Sequence, residues 1–191
     1  MSGPQRAPAP RPLTPDPDLA AVVAAQADRS AFDTLYRRYL DRVYAYAFYQ
    51  LGDHHDAEDA TERTFLAALR ALPAFRDEGA TFRAWLFRIA HNTVANAHRS
   101  RTRRRTDPLP EPFDRPAPDA DPAGLVARAD ELRTVLRAVA ALSEDRRQVI
   151  LLRFVDGLSS NEIAEVLDRS PGAVRVLLHR ALRDLAERLT R

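Results

Sequence analysis

Cysteine is absent from the 191 residues, which removes a disulfide framework and a thiolate metal site from consideration. Lysine is absent as well, so all 29 basic residues are arginine. A GC-rich genome that also favours Ala, Pro and Asp is the plain account of that bias, although the guanidinium fork also suits phosphate oxygens and guanine edges. Glycine is scarce, at six residues, and no glycine-rich phosphate loop or nucleophile elbow occurs. No apolar run approaches the roughly 18 residues a membrane span needs. The N-terminal stretch MSGPQRAPAPRPLTPDPD has no apolar core of a secretory signal, so a cytoplasmic protein without membrane insertion is expected. Charge of one sign is lacking too: 29 basic residues face 27 acidic ones, a net charge of +2. Any nucleic-acid binding must therefore come from how the charges are distributed.

What is present is helical periodicity in two blocks. Pro4, Pro8, Pro10, Pro12, Pro15 and Pro17 exclude helix from the N-terminus, which reads as an extended, disordered tail. Phe32, Leu35, Tyr36, Tyr39, Val43, Tyr46 and Ala47 then follow the three-and-four spacing of one buried helical face. After a break at Gly52 and Asp53, Ala57, Ala60, Phe65, Ala68, Leu69 and Leu72 mark a second helix, ended by Pro73. A loop from Ala74 to Thr81 leads to a third, marked by Phe82, Trp85, Leu86, Ile89, Ala90, Thr93 and Ala97. The segment DPLPEPFDRPAPDADP, with five acidic residues against Arg115, reads as a stiff acidic linker.

The second block starts near Leu125. Ser143 is the expected N-cap of a helix running through Val155, with Gly157 as its stop. Ser159 and Glu162 have capping-box spacing, and Ser170 caps again with Pro171 at the first helical position. Two capped helices joined by Asp168 to Ser170 make a helix-turn-helix. In the last helix Val174, Leu177, Leu178, Ala181, Leu182, Leu185 and Leu189 form an apolar face. Arg175, Val176 and His179 are placed to reach base edges, and Arg180 and Arg183 to reach phosphates. A solvated face on an ordinary bundle helix is the competing account.

The third helix of the first block carries a similar pattern. Arg88, Asn92, Asn96, Arg99 and Arg103 recur at steps of three or four and share one stripe. Amides can hydrogen-bond base edges and guanidinium groups can hold phosphate, so the stripe suits a strand whose bases are accessible. Among the nearby aromatics Trp85 lies on the apolar face and reads as core. Phe87 lies off that face and is the expected stacking platform, with Phe75 beside the loop. The cluster His54, His55, Asp56, Glu58 and Asp59 is a weak metal site: adjacent helical histidines point about 100° apart, and the acidic residues already suit a helix N-terminus. No cofactor, metal or catalytic residue is expected.

The order AFDTLYRRYLDRVYAYA, DAEDATERTFLAALRALPAFR, FRAWLFRIAHNTVANAHRSRTRRR and LSEDRRQVILLRFVDGLSSNEIAEVLDRSPGAVRVLLHRALRDL resembles the extracytoplasmic-function (ECF) group of bacterial sigma factors, over residues 28–105 and 125–189. The resemblance implies an all-α chain of two small helical domains on a flexible linker. The tail is 1–18, sigma domain 2 is 19–106, the acidic Pro-rich linker is 107–123 and sigma domain 4 is 124–191. It implies a non-catalytic subunit that binds the clamp helices and flap of core RNA polymerase. Domain 2 would read and melt the minus-ten element and domain 4 would read the minus-thirty-five element as duplex. Asp56, Glu58, Asp59, Glu62, Arg63 and Leu66 resemble the clamp-binding surface. The loop Ala74 to Thr81 resembles the one that holds a flipped-out base beside Arg88, Asn92 and Asn96. An anti-sigma partner is implied as well. Three places depart from the pattern: Ala60, Thr61, Glu62 and Arg63 stand where Leu-Val-Gln-Glu is usual; Val176 and Leu177 replace a polar Ser-Arg pair, so fewer phosphate bonds are expected in domain 4, with Val176 packing on a thymine methyl; and the proline-rich N-terminal tail has no counterpart in the motif set. The competing functions are a stand-alone helix-turn-helix regulator, which would bind duplex DNA without polymerase, and a metal-dependent nuclease at His54, His55 and Asp56.

Overall fold

The computed structural model describes residues 16–77, 80–104 and 134–190. The proline-rich tail through residue 15, Gly79, the linker and the side chain of Arg103 lie outside the described residues. Among those described, the regular structure is all helical, in two units.

The first unit holds α1 (Leu19–Ala27), α2 (Phe32–Leu51), α3 (His54–Ala71) and α4 (Phe82–Arg104). Its breaks have local causes. Gly52 ends α2 in the left-handed region at φ 68°, where a side chain would be strained. Asp53 follows in extended conformation and its carboxylate accepts the Asp56 N–H at 2.9 Å, capping α3. Pro73 sits in the 3-10 turn Leu72–Ala74 that ends this hairpin. Leu35, Val43, Tyr46, Ala57, Ala68, Phe82 and Leu86 form the centre of the unit, each 1% exposed or less. Two buried acids fasten its edge. Asp16 accepts the Phe82 N–H at the start of α4 at 2.5 Å, and Asp18 pairs with Arg38 and Tyr39.

The second unit holds α5, whose described part is residues 134–140, then α6 (Glu144–Ile150), α7 (Ser160–Val166) and α8 (Pro171–Leu189). The expected single helix through Val155 is instead α6 followed by one π turn, Leu151–Val155. The wider turn lets the Leu158 N–H reach the Leu152 carbonyl at 3.0 Å and places Gly157 at φ 66°. Ser143 stands at the N-cap but its hydroxyl makes no capping bond; Glu144 and Asp145 supply first-turn negative charge instead.

The capping box of α7 is complete. Ser159 Oγ accepts the Glu162 N–H at 3.3 Å while Glu162 Oε2 accepts the Ser159 N–H at 2.8 Å. Asp168 at φ 51° then turns the chain, with the Arg169 N–H on the Ala164 carbonyl at 2.9 Å, a Schellman ending without glycine. Ser170 Oγ caps α8 through the Ala173 N–H at 3.2 Å. The apolar face of α8 is buried at Val174 and Ala181, but Leu182 and Leu189 are exposed. At 19 residues α8 outruns the seven-residue helices it lies against.

The two units are not independent bodies. Helix α4 lies on α2 and α3 with one side and on α7 with another. Arg83 and Thr81 bind Glu162, Arg42 donates to the Asp156 carbonyl at 3.0 Å, and Arg147 donates to Gln50 at 3.3 Å.

Candidate nucleic-acid and partner interfaces

On α4 the side chains of Arg88, Asn92, Asn96 and Arg99 are all exposed and run along one side of the helix. Asn96 Oδ1 already accepts from Arg99, so this part of the stripe is a joined amide and guanidinium pair. Arg103 continues the backbone of α4.

The aromatic assignments change. Phe87 is fully buried, its ring edge-on to Tyr46 at 5.8 Å, and it is no platform for a base. It looked off-face because α4 was read as having one buried side, whereas α4 packs on α2, α3 and α7. Phe75 is also buried, with its ring 5.9 Å from Phe82 and 5.0 Å from Trp85. Trp85, read from sequence as core, is the half-buried member of this cluster. At three residues before Arg88 it falls at the head of the polar stripe. Truncation of Phe87 therefore tests packing rather than DNA contact: Phe87→Ala is expected to cost about 3–5 kcal/mol of stability, read as an earlier urea midpoint with no DNA present. An unchanged midpoint would refute the burial argument.

Arg175, Val176, His179, Arg180 and Arg183 are all exposed on α8. The Arg175 Nε–H donates to the Pro171 carbonyl at 3.1 Å, which lays its guanidinium along the first turn of the helix. Val176 is 50% exposed, so its methyls are available to an apolar contact.

A third surface lies between α2 and α3, a groove of about 400 Å³. Glu58, Glu62 and Leu66 line it from α3, one turn apart. Facing them are Phe32, Tyr36, Leu40 and Tyr44 from α2, which sequence reasoning did not assign to any site. Tyr36 was counted in the core face, but it is 38% exposed and its ring meets Phe65 at 4.8 Å, forming a wall. Asp56, Asp59 and Arg63 are outside the lining, with Arg63 paired to Asp59 at 3.5 Å. His54 Nδ1 is 2.6 Å from the Tyr44 hydroxyl and its ring lies 4.5 Å from Phe48. Among the described residues no group of three or more metal-ligating side chains converges, and no helix is long and apolar enough to cross a membrane.

Residues 35–104 match Sigma-70 region 2, and residues 132–185 match Sigma-70, region 4. The chain is 38% identical over 172 residues to the ECF RNA polymerase sigma factor BldN of Streptomyces coelicolor, covering 90% of this chain and 65% of that protein. It is 34% identical over 180 residues to the ECF RNA polymerase sigma factor SigE of Mycolicibacterium smegmatis, covering 92% of this chain and 69% of that one. The chain belongs to the ECF sigma factors. That family consists of non-catalytic initiation factors that direct RNA polymerase to promoters. Among solved structures, CnrH in complex with the cytosolic domain of CnrY is similar, with a TM-score of 0.67 and 29% identity over 91% of this chain and 97% of CnrH.

The region 2 match ends with α4, and the region 4 match takes in the described part of α5. In this sigma factor the signal for the groove was present as Tyr36, Leu40 and Tyr44, an i, i+4, i+8 stripe. It was hidden because the spacing of a half-open aromatic wall is the spacing of a core.

Proposed function

We propose that this sigma factor docks on core polymerase through the α2–α3 groove, reads and melts the minus-ten element with α4, and reads the minus-thirty-five element with α8. In this reading 19–106 acts as sigma domain 2, 107–123 as linker and 124–191 as sigma domain 4, with no assigned role for the 1–18 tail. It works in the cytoplasm with polymerase, without a catalytic site or cofactor of its own. Trp85 and the loop before α4 meet the unpaired strand, Arg88, Asn92 and Asn96 read it, and Arg99 and Arg103 hold its backbone. In domain 4 Arg175, Val176 and His179 face base edges while Arg180 and Arg183 face phosphates. CnrH has been solved with the cytosolic domain of CnrY, and an anti-sigma protein that sequesters one or both domains is expected for this chain.

The observation that carries the minus-ten assignment is the exposed stripe itself: base-edge amides followed by guanidinium groups on a helix whose other sides are buried. Asn92→Ala is expected to lower open-complex formation at a promoter mapped from transcript 5′ ends by roughly tenfold, in line with about 1–3 kcal/mol for a lost base contact. Its affinity for core polymerase should be unchanged. Full run-off transcription by the variant would show that Asn92 does not read the strand. A gel shift of mapped promoter DNA with and without core tests the wider reading, since tight specific binding by the chain alone would favour a stand-alone regulator.

A further inference from the structure

Residues 16–27 precede the Sigma-70 region 2 match, which starts at residue 35, yet two of their side chains bind backbone groups within it. The Gln26 amide donates to the Leu72 carbonyl at 2.9 Å and to the Phe75 carbonyl at 3.0 Å, so both of its protons are used. Asp16 Oδ2 accepts the Phe82 N–H at 2.5 Å. Its Oδ1 accepts the Asp18 N–H at 2.9 Å, and the buried Asp18 is held on α2 by Arg38 and Tyr39. Helix α4 already has a local cap, because Thr81 Oγ1 accepts the Ala84 N–H at 3.2 Å. A cap of that kind leaves the first helical N–H without a partner. Here a carboxylate 66 residues away in sequence takes it. These bonds fix the backbone that carries two rings. The Phe75 ring lies 5.0 Å from Trp85, and the Phe82 ring lies 5.5 Å from it.

We propose that Gln26 and Asp16 are positioning residues for promoter opening: they hold Phe75 and Phe82 where the two rings present Trp85 to the unpaired strand. This rests on the minus-ten reading proposed above. The packing of α1 does not depend on Gln26. Helix α1 buries Val22 and Ala25, and Asp18 ties its start to α2. Gln26 itself is exposed and both of its bonds are part-buried, so water can replace the amide at little cost to the fold. What water cannot replace is direction. One planar amide bound to two carbonyls three residues apart sets the path of the chain as it leaves the 3-10 turn, and with it the side from which the Phe75 ring meets Trp85. Asp16 does the same at the other end, where the Phe82 N–H opens α4. Trp85 is half-buried at the head of the stripe that Arg88, Asn92 and Asn96 continue. An indole already held in place loses little freedom when a base stacks on it, so less of the stacking energy is spent on ordering the protein.

Trp85 is the only tryptophan of the chain, so its fluorescence reports its own setting in the full-length protein before any DNA or polymerase is added. Gln26→Ala removes both donors and leaves a strong helix former in α1. Asp16→Asn is the second variant: it keeps one acceptor oxygen and loses the other. Both are expected to raise the quenching of Trp85 by acrylamide, and the urea midpoint of Gln26→Ala should stay close to the parent's. With core polymerase at saturation, Gln26→Ala should form open complexes at a mapped promoter roughly threefold to tenfold more slowly, the factor that one net hydrogen bond carries. Its affinity for core should equal the parent's. Quenching unchanged in both variants overturns the positioning role. Greater quenching with open complexes formed at the parent's rate overturns the link to promoter opening, and an equal loss of core affinity reduces the contacts to structural ones. Trp85→Ala opening the promoter at the parent's rate sinks the strand-reading role of Trp85, and the part of Gln26 in opening with it, while the quenching result still decides whether Gln26 and Asp16 set the place of the indole.

Discussion

Asp156→Asn is expected to stabilise the chain by about 2–4 kcal/mol at pH 8 and to change it little at pH 5, from the ordinary linkage of a shifted carboxyl group. Asp156 is completely buried at the end of the π turn, and neither carboxylate oxygen has a hydrogen-bond partner. Arg42 and Arg83 approach it but donate to its backbone carbonyl, at 3.0 and 3.5 Å. Burial raises the carboxyl to about 8, with Arg42 and Arg83 only partly opposing the rise. In the unfolded chain the group loses its proton near pH 4, whereas the folded chain keeps it until about pH 8. Stability is therefore fullest below pH 4, falls as pH rises from about 4 to about 8, and is level above that. The full span of the shift corresponds to about 5 kcal/mol, from which the cost of a buried unpaired amide, about 1–3 kcal/mol, is subtracted. Urea midpoints across pH 5 to 9 should diverge between parent and variant. Parallel curves would show that Asp156 ionises freely in the folded chain.

The parts of this structure legible in the sequence are those fixed by local chemistry. Ser159 with Glu162, Ser170 with Pro171, and Gly52 with Asp53 each satisfy backbone groups within a few residues, so their spacing suffices. The exposed stripe on α4 was legible for the same reason, since one helix sets its own faces. What was hidden came from contacts between distant residues. Phe87 looked available because its packing on Tyr46 of α2 comes from another helix, and Asp16 gave no sign that it would accept an N–H from Phe82. Capping-box spacing predicts Glu162 as a cap. Nothing in that spacing predicts that the same carboxylate also takes Arg83 and Thr81 from the other unit. The π turn was equally hidden, because the apolar pattern of Leu151 to Val155 fits an α-helix as well.

Leu66→Asp is expected to weaken binding to core polymerase by a hundredfold or more while leaving thermal stability within about 0.5 kcal/mol of the parent. Leu66 is 43% exposed in the free chain, so a carboxylate there stays hydrated and the fold loses little. In a complex the position is different. The groove walls Phe32, Tyr36, Leu40 and Leu69 offer a docked helix an apolar trough, and Leu66 sits among them beside Glu58 and Glu62. An exposed apolar surface of this kind, rimmed by acids, fits the docking role proposed for it. Burying a new unpaired carboxylate at its centre costs several kcal/mol, and each 1.4 kcal/mol is a factor of ten. Glu62→Gln, at the rim, should change affinity by less than tenfold and mainly flatten its dependence on salt. Titration of labelled chain with core polymerase at two ionic strengths separates the two effects. Unaltered binding by Leu66→Asp would move the docking site off this groove, because no rearrangement of exposed side chains can shelter that charge once the trough is filled.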